Sequence, residues 1–118
     1  MYKYYNVNPY GRHIDDCVIR SLSLLTNRKW EDVYDELSYY SGRKGLLFDN
    51  VGFVEEYLDN RYDRECHYSK TVGEFAEEHP YGKYAVTMDS HITSIVNGCV
   101  LDTFDPSRKI MRCAWRID

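Results

Sequence analysis

The chain has 118 residues, of which 43% are hydrophobic, so we expect one globular domain over residues 1–118. The formal net charge of −4 argues against a nucleic-acid binder, and no apolar run is long enough to span a bilayer. The N-terminal stretch lacks the apolar core of a secretory signal, which predicts a cytoplasmic protein.

The first two thirds of the chain show the apolar spacing of amphipathic helices. Asp15 or Asp16 is the expected N-cap of the first helix, and Gly42 is expected to end the second. The letters "TVGE" at 71–74 indicate a capping box for a short fourth helix. The predicted helices cover residues 16–25, 30–41, 50–58 and 71 to about 79.

The last third is rich in β-branched and aromatic residues and predicts strands. Asn97-Gly98 is a strong signal for a two-residue hairpin turn. Because helices precede antiparallel strands, the predicted class is α+β, with N-terminal helices packed on one face of a C-terminal antiparallel meander. The predicted strands cover residues 83–88, 91–96, 99–104 and 109–115.

The hairpin turn allows a candidate site to be placed by counting residues. If Asn97-Gly98 is the turn, Thr93 lies opposite Asp102, and His91 and Asp102 are diagonal neighbours on one face of the sheet. A histidine beside a carboxylate is an oriented general base, because the carboxylate holds one ring tautomer and stabilises the imidazolium.

Cys17, at the predicted start of the first helix, is the candidate nucleophile for this base. The helix dipole and a nearby imidazolium both favour a thiolate, whereas the charges of Asp15 and Asp16 would oppose it if they pointed toward the sulfur. The alternatives are a buried thiol at Cys17, a strand histidine at His91 and a solvated carboxylate at Asp102.

Several motifs in order resemble those of known proteins. "NPYGRHIDDCVIRSL", "WEDVYDEL", "TVGEFAEEHPYGKYAV" and the His–Asp hairpin together resemble the papain-like cysteine peptidase fold, in particular a small C39-like group from bacteria and phages. The resemblance implies Cys17 as nucleophile, His91 as base and Asp102 as orienting acid. It gives no role to Arg20, which could form a salt bridge.

The resemblance also raises the question of the oxyanion donors. Papain-like peptidases usually carry a glutamine upstream of the cysteine, and this chain contains no glutamine. The candidate donors instead are the side-chain amide of Asn8, or that of Asn6, and the backbone N–H of Cys17. The alternative for Asn8, which precedes Pro9, is a turn residue.

The remaining cysteines are Cys66, Cys99 and Cys113. An even count allows two disulfides, but a reducing compartment predicts free thiols. The cysteines and histidines lack zinc-site spacing, so we expect neither a metal nor another cofactor.

The predicted function is that of a small intracellular cysteine hydrolase, a peptidase or amidase that acts on a peptide or protein substrate through a thioester acyl-enzyme. An acyl transferase would use the same residues. The alternative is a catalytically inactive papain-like fold that serves as a protein-binding module, with its twelve tyrosines forming the surface. Such a module could be phage-encoded and engage a host factor in the host cytoplasm.

Overall fold

The computed structural model describes residues 1–12 and 15–117 and forms an α+β domain. The four helices are α1 (Cys17–Thr26), α2 (Trp30–Arg43), α3 (Val51–Asp59) and α4 (Val72–Glu78). The six strands are β1 (Tyr2–Tyr4), β2 (Arg64–Cys66), β3 (Lys83–Met88), β4 (His91–Val96), β5 (Cys99–Asp102) and β6 (Met111–Arg116). None of these helices combines the length and apolar character needed to cross a bilayer.

The strands form one mixed sheet in the order β1-β5-β4-β3-β6-β2. The predicted antiparallel meander is therefore correct only for β3, β4 and β5. β6 pairs with β3 instead of β5, and β1 adds a parallel strand at the outer edge of β5. Sequence patterning missed β1 and β2 because each has three residues, too few for a period of two to be recognised.

Helices cover both faces of the sheet, so the prediction that they pack on one face is wrong for α4. Alternate residues of a strand point to opposite sides. Ala85 packs with Ile19 in the core beneath α1, α2 and α3, whereas Tyr84 and Val86 pack with Phe75 of α4. Since β3 is buried along most of its length, both of its faces need a helical cover.

The predicted hairpin turn is confirmed. Asn97 and Gly98 have positive φ angles of 50° and 76°, as a type I′ turn requires, and Val96 pairs with Cys99. The β4–β5 ladder continues to the pair of Ser94 with Leu101. β5 then ends at Asp102, two residues earlier than predicted.

Helix boundaries follow the expected caps with one exception. The capping box is present, with the Thr71 side chain accepting from Glu74 N–H and the Glu74 side chain accepting from Thr71 N–H. The expected end at Gly42 is wrong: α2 runs through this residue to Arg43, and the positive φ of 68° falls on Gly45. The local sequence did not indicate which of Gly42 and Gly45 would adopt the positive φ angle.

Cys66 and Cys113 form a disulfide, which corrects the expectation of free thiols. β2 and β6 pair in a register that sets these two residues opposite each other. The disulfide depends on the pairing of two strands whose cysteines are 47 positions apart in the chain. The cysteine spacing alone did not indicate this strand pairing. Cys17 and Cys99 are free and partly exposed.

Candidate active site

The three predicted triad residues stand at element ends that the fold brings together. Cys17 is the first residue of α1, His91 the first of β4 and Asp102 the last of β5. α1 packs across β4 and β3, and the Ser21 hydroxyl donates to the carbonyl of Ile92 at 3.4 Å. The N-terminus of α1 is thereby held over the start of β4.

His91 and Asp102 form a buried pair. His91 Nε2 lies 2.7 Å from Oδ2 of Asp102, and their side chains are 11% and 2% exposed. The Thr93 hydroxyl donates to the same oxygen at 2.6 Å. Because Asp102 occupies Nε2, the other ring nitrogen, Nδ1, is the one left to interact with Cys17.

The surroundings of His91 favour its charged form. Burial lowers the pKa of His91, but hydrogen bonds with Asp102 and with Cys17, together with their negative charges, raise this pKa to about 9. Burial raises the pKa of Asp102, yet the hydrogen bonds from His91 and Thr93 lower it below its usual value. These interactions favour an imidazolium beside the carboxylate at neutral pH.

The second oxygen of Asp102 is also fully occupied. Oδ1 accepts from Nη1 of Arg20 at 3.2 Å and from the backbone N–H of Thr103 at 2.7 Å. With His91 and Thr93 on Oδ2, four donors hold this carboxylate. The orientation of the Asp102 carboxylate is thus fixed from both sides.

Asp16, next to Cys17, is buried at 1% exposure and its charge is matched by Arg20. Its carboxylate accepts from Arg20 Nε at 2.8 Å, from the Asn8 amide at 3.1 Å and from the Trp30 indole at 2.9 Å. The Asp16 carboxylate is thus directed to a guanidinium, whereas Asp15 lines the same cleft as Cys17. As expected, Asp16 is the N-cap of α1, but its side chain forms no hydrogen bond to the described first-turn amides.

Asn8 occupies a structural position. Its side-chain oxygen accepts from the backbone N–H of Tyr10 at 2.9 Å, and its carbonyl accepts from Gly11 N–H at 3.0 Å. This is the turn geometry that the sequence left open as the alternative. Its amide donates to Asp16, and the structure brings Asn8 to that carboxylate rather than to the cleft beside Cys17.

A cleft of about 660 Å³ opens beside Cys17 and His91. Cys17 and His91 lie in its wall, which is part apolar and part acidic. The wall also includes the apolar Val51 and Phe104 and the charged Asp15, Asp49, Glu55 and Arg112. The ring of Phe104 packs on His91 with 4.7 Å between centroids, which shields one side of the imidazole.

Sequence reasoning did not assign the residues that support the triad. Thr93 stands at the predicted register position opposite Asp102, so the same hairpin count could have identified it. Arg20 lies four residues after Asp16, a spacing that indicates a helical ion pair. The salt bridge of Arg20 with Asp16 is present. The second carboxylate that Arg20 contacts, Asp102, lies on β5, and no sequence pattern indicated that contact.

Over residues 1–12 and 15–117, no group of three or more His, Cys, Asp or Glu side chains could hold a metal ion. The chemistry that the arrangement can perform from its own side chains is thiol-based. No family model matches this chain, and neither a curated protein nor a solved structure matches it.

Proposed function

We propose that this protein is a small cysteine hydrolase of papain-like fold that cleaves a peptide or related amide bond, with Cys17 as nucleophile, His91 as base and acid, and Asp102 as orienting acid. One observation carries the proposal: His91 Nε2 lies 2.7 Å from the buried Asp102 carboxylate, and His91 and Cys17 line the wall of the same open cleft. A helix with the cysteine at its start, packed over an antiparallel His–Asp hairpin, supports the papain-like assignment.

The reaction begins with the proton of the Cys17 thiol on His91. The thiolate attacks the carbonyl carbon of the substrate, and a C–S bond forms as the C–N bond breaks. The leaving amine takes the proton from the imidazolium. Water then attacks the thioester and gives a proton to His91, and the C–S bond breaks to release the carboxylic acid and return the thiol.

The start of α1 supplies the expected electrostatic stabilisation. The first N–H groups of a helix lack intrahelical partners, and the Asp16 side chain serves Arg20, Asn8 and Trp30 instead of these amides. The backbone N–H of Cys17 is therefore our candidate donor to the oxyanion. This assignment uses the main chain and leaves Asn8 in its turn.

The cleft has room and apolar contact points for groups next to the scissile amide. Its volume of about 660 Å³ falls within the usual range for ligand pockets. Val51 and Phe104 expose 55% and 42% of their surface, and both line the cleft as contact points for apolar substrate side chains. Hydrolysis and acyl transfer share this geometry, and the acceptor, water or amine, distinguishes them.

The experiment that tests the proposal is alkylation with iodoacetamide at neutral pH, with the modified cysteines mapped by mass spectrometry. Cys99 is the internal control, since it is the other free and partly exposed thiol. We expect Cys17 to react much faster than Cys99, and His91→Ala to remove the difference. The control is His67→Ala, which changes a histidine that β6 separates from His91. This change should leave the difference between the Cys17 and Cys99 labelling rates intact.

Equal and slow labelling of Cys17 and Cys99 would contradict the proposal and favour the binding module. If Cys17 is selectively labelled, a library of fluorogenic peptides follows, with Cys17→Ala as the inactive control. Adding a primary amine as acceptor then separates the two reactions: an amide product indicates transfer, and its absence indicates hydrolysis.

A further inference from the structure

Arg20 joins two buried carboxylates that belong to different elements. Its Nε donates to Asp16 at 2.8 Å, and its Nη1 donates to Asp102 at 3.2 Å. The guanidinium is 12% exposed, and the two carboxylates are 1% and 2% exposed. A planar guanidinium can contact two acids in fixed directions, which a lysine ammonium cannot do with the same geometry.

The arrangement sets two cations on one acid. Arg20 contacts Oδ1 of Asp102, and His91 contacts Oδ2 of the same carboxylate. A buried carboxylate needs a counter-charge, so Arg20 and His91 share the task of neutralising Asp102. The more of that charge Arg20 balances, the less firmly His91 must hold its proton.

We propose that Arg20 is a positioning residue of the triad: by binding Asp16 and Asp102 together, it leaves the His91 ring able to exchange its proton with Cys17 instead of acting as the structural counter-ion of Asp102. The inference rests on the proposed function for its catalytic meaning. The charge relationship itself is independent of whether the protein turns over a substrate.

The groups that complete this network are neutral donors. Thr93 and the backbone N–H of Thr103 bind Asp102, and the Asn8 amide and Trp30 indole bind Asp16. The Tyr2 hydroxyl donates to the main-chain oxygen of Asp102. Among residues 1–12 and 15–117, Cys17 also acts electrostatically on His91, and Asp15, Asp49, Glu55 and Arg112 are charged side chains that line the same cleft. Every variant below keeps these residues.

Two substitutions should move the titration of His91 in opposite directions. Arg20→Met leaves His91 as the cation on Asp102, so the His91 titration midpoint should rise by about one pH unit. Asp16→Asn frees Arg20 to serve Asp102 alone, so the midpoint should fall by a similar amount, about one pH unit. The measurement is NMR titration of the imidazole signals, with the His91 signal identified by its loss in His91→Gln.

Arg20→Lys and Arg28→Met are the controls. The lysine variant keeps a cation near Asp102 but cannot bind both acids in the same directions, so its midpoint should lie between those of Arg20→Met and the unmodified protein. Arg28 forms a surface pair with Glu36 at 3.0 Å, so its loss should not move the His91 signal. A general loss of structure would shift the Arg20 and Asp16 variants in the same direction, not in opposite ones.

An unchanged or lower midpoint in Arg20→Met, or an unchanged or higher one in Asp16→Asn, overturns the inference. If Arg20→Met does not fold, Asp16→Asn decides the question alone. These experiments measure the titration midpoint of the His91 ring and not the reactivity of the Cys17 thiol. A failure of the proposed function appears separately, as equal labelling of Cys17 and Cys99 in the unmodified protein.

Discussion

His91 and Asp102 are joined by a 2.7 Å contact in which the carboxylate is 2% exposed and the ring 11%. The two residues are eleven positions apart and lie at the same end of one hairpin. A pair buried to this degree costs free energy unless its hydrogen bonds are satisfied. Thr93, Thr103 and Arg20 provide the remaining donors, so the pair is held without an unmet polar group on the carboxylate.

Asp102→Asn should make Cys17 less reactive. The amide cannot balance an imidazolium, so the ring loses its proton at neutral pH and no longer stabilises the thiolate. We expect the rate of Cys17 alkylation at pH 7 to fall by about tenfold or more, measured with iodoacetamide. Asp59→Asn is the control, since Asp59 binds Arg64 and not a residue of the triad. An equal fall in the Cys17 alkylation rate in this variant would contradict the prediction.

Stability should decrease as the solution becomes alkaline. The folded-state pKa of His91 is about 9, above the usual value of about 6.5. A raised histidine pKa stabilises the fold fully below about pH 6.5, and the contribution is lost as the pH rises through about 9. The free energy of unfolding should therefore fall by up to about 3 kcal/mol across that interval, as measured by urea denaturation.

His91→Gln should flatten this pH dependence, while His67→Gln should keep it. Asp102 acts in the opposite sense, because its pKa is lowered in the fold. Its stabilisation is present above the usual carboxyl pKa and is lost as the pH falls below it. A slope between pH 6.5 and 9 that persists in His91→Gln would assign the effect to another group.

Trp30→Phe should destabilise the fold through Asp16. The indole donates to this buried carboxylate at 2.9 Å and stacks on Tyr34 with 5.4 Å between ring centroids. Phenylalanine keeps a ring for stacking but leaves one acceptor site of Asp16 without its donor. We expect a loss of about 1–3 kcal/mol by urea denaturation, against a much smaller loss for Tyr34→Phe, which keeps both the indole and the stack.

Reduction of the Cys66–Cys113 disulfide should also lower stability. The bond closes a loop with a sequence separation of 47 residues, and removing such a cross-link typically costs about 2–4 kcal/mol. Urea denaturation with and without dithiothreitol measures the change. The double variant Cys66→Ala/Cys113→Ala should be insensitive to the reductant, whereas Cys99→Ser should respond like the unmodified chain.

What the sequence predicted correctly is mostly local. The Asn97-Gly98 turn determines the β4–β5 register, and that register is why His91 and Asp102 could be paired by counting. The capping box at Thr71 and the start of α1 after Asp16 depend on neighbours within one helical turn. Each of these features was accessible because a few adjacent residues decide it.

What could not be predicted depends on contacts across the chain. The parallel pairing of β1 with β5, the place of β6 beside β3 and the side chosen by α4 are decided by packing of distant segments. The Cys66–Cys113 bond follows from one of these pairings. For Asn8, the side chain had two compatible uses, and the buried carboxylate of Asp16 determines which one it takes. The papain-like assignment stays a prediction.

The parallel strand β1 has a consequence for handling the protein. Its neighbour β5 carries Asp102, and the backbone N–H of Tyr5 donates to the Asp102 carbonyl at 2.9 Å. Removal of residues 1–5 would remove β1 and leave β5 as an exposed edge strand, which could pair with a second molecule. With β1 in place, β5 is paired on both sides, and the edge of the sheet lies one strand away from Asp102.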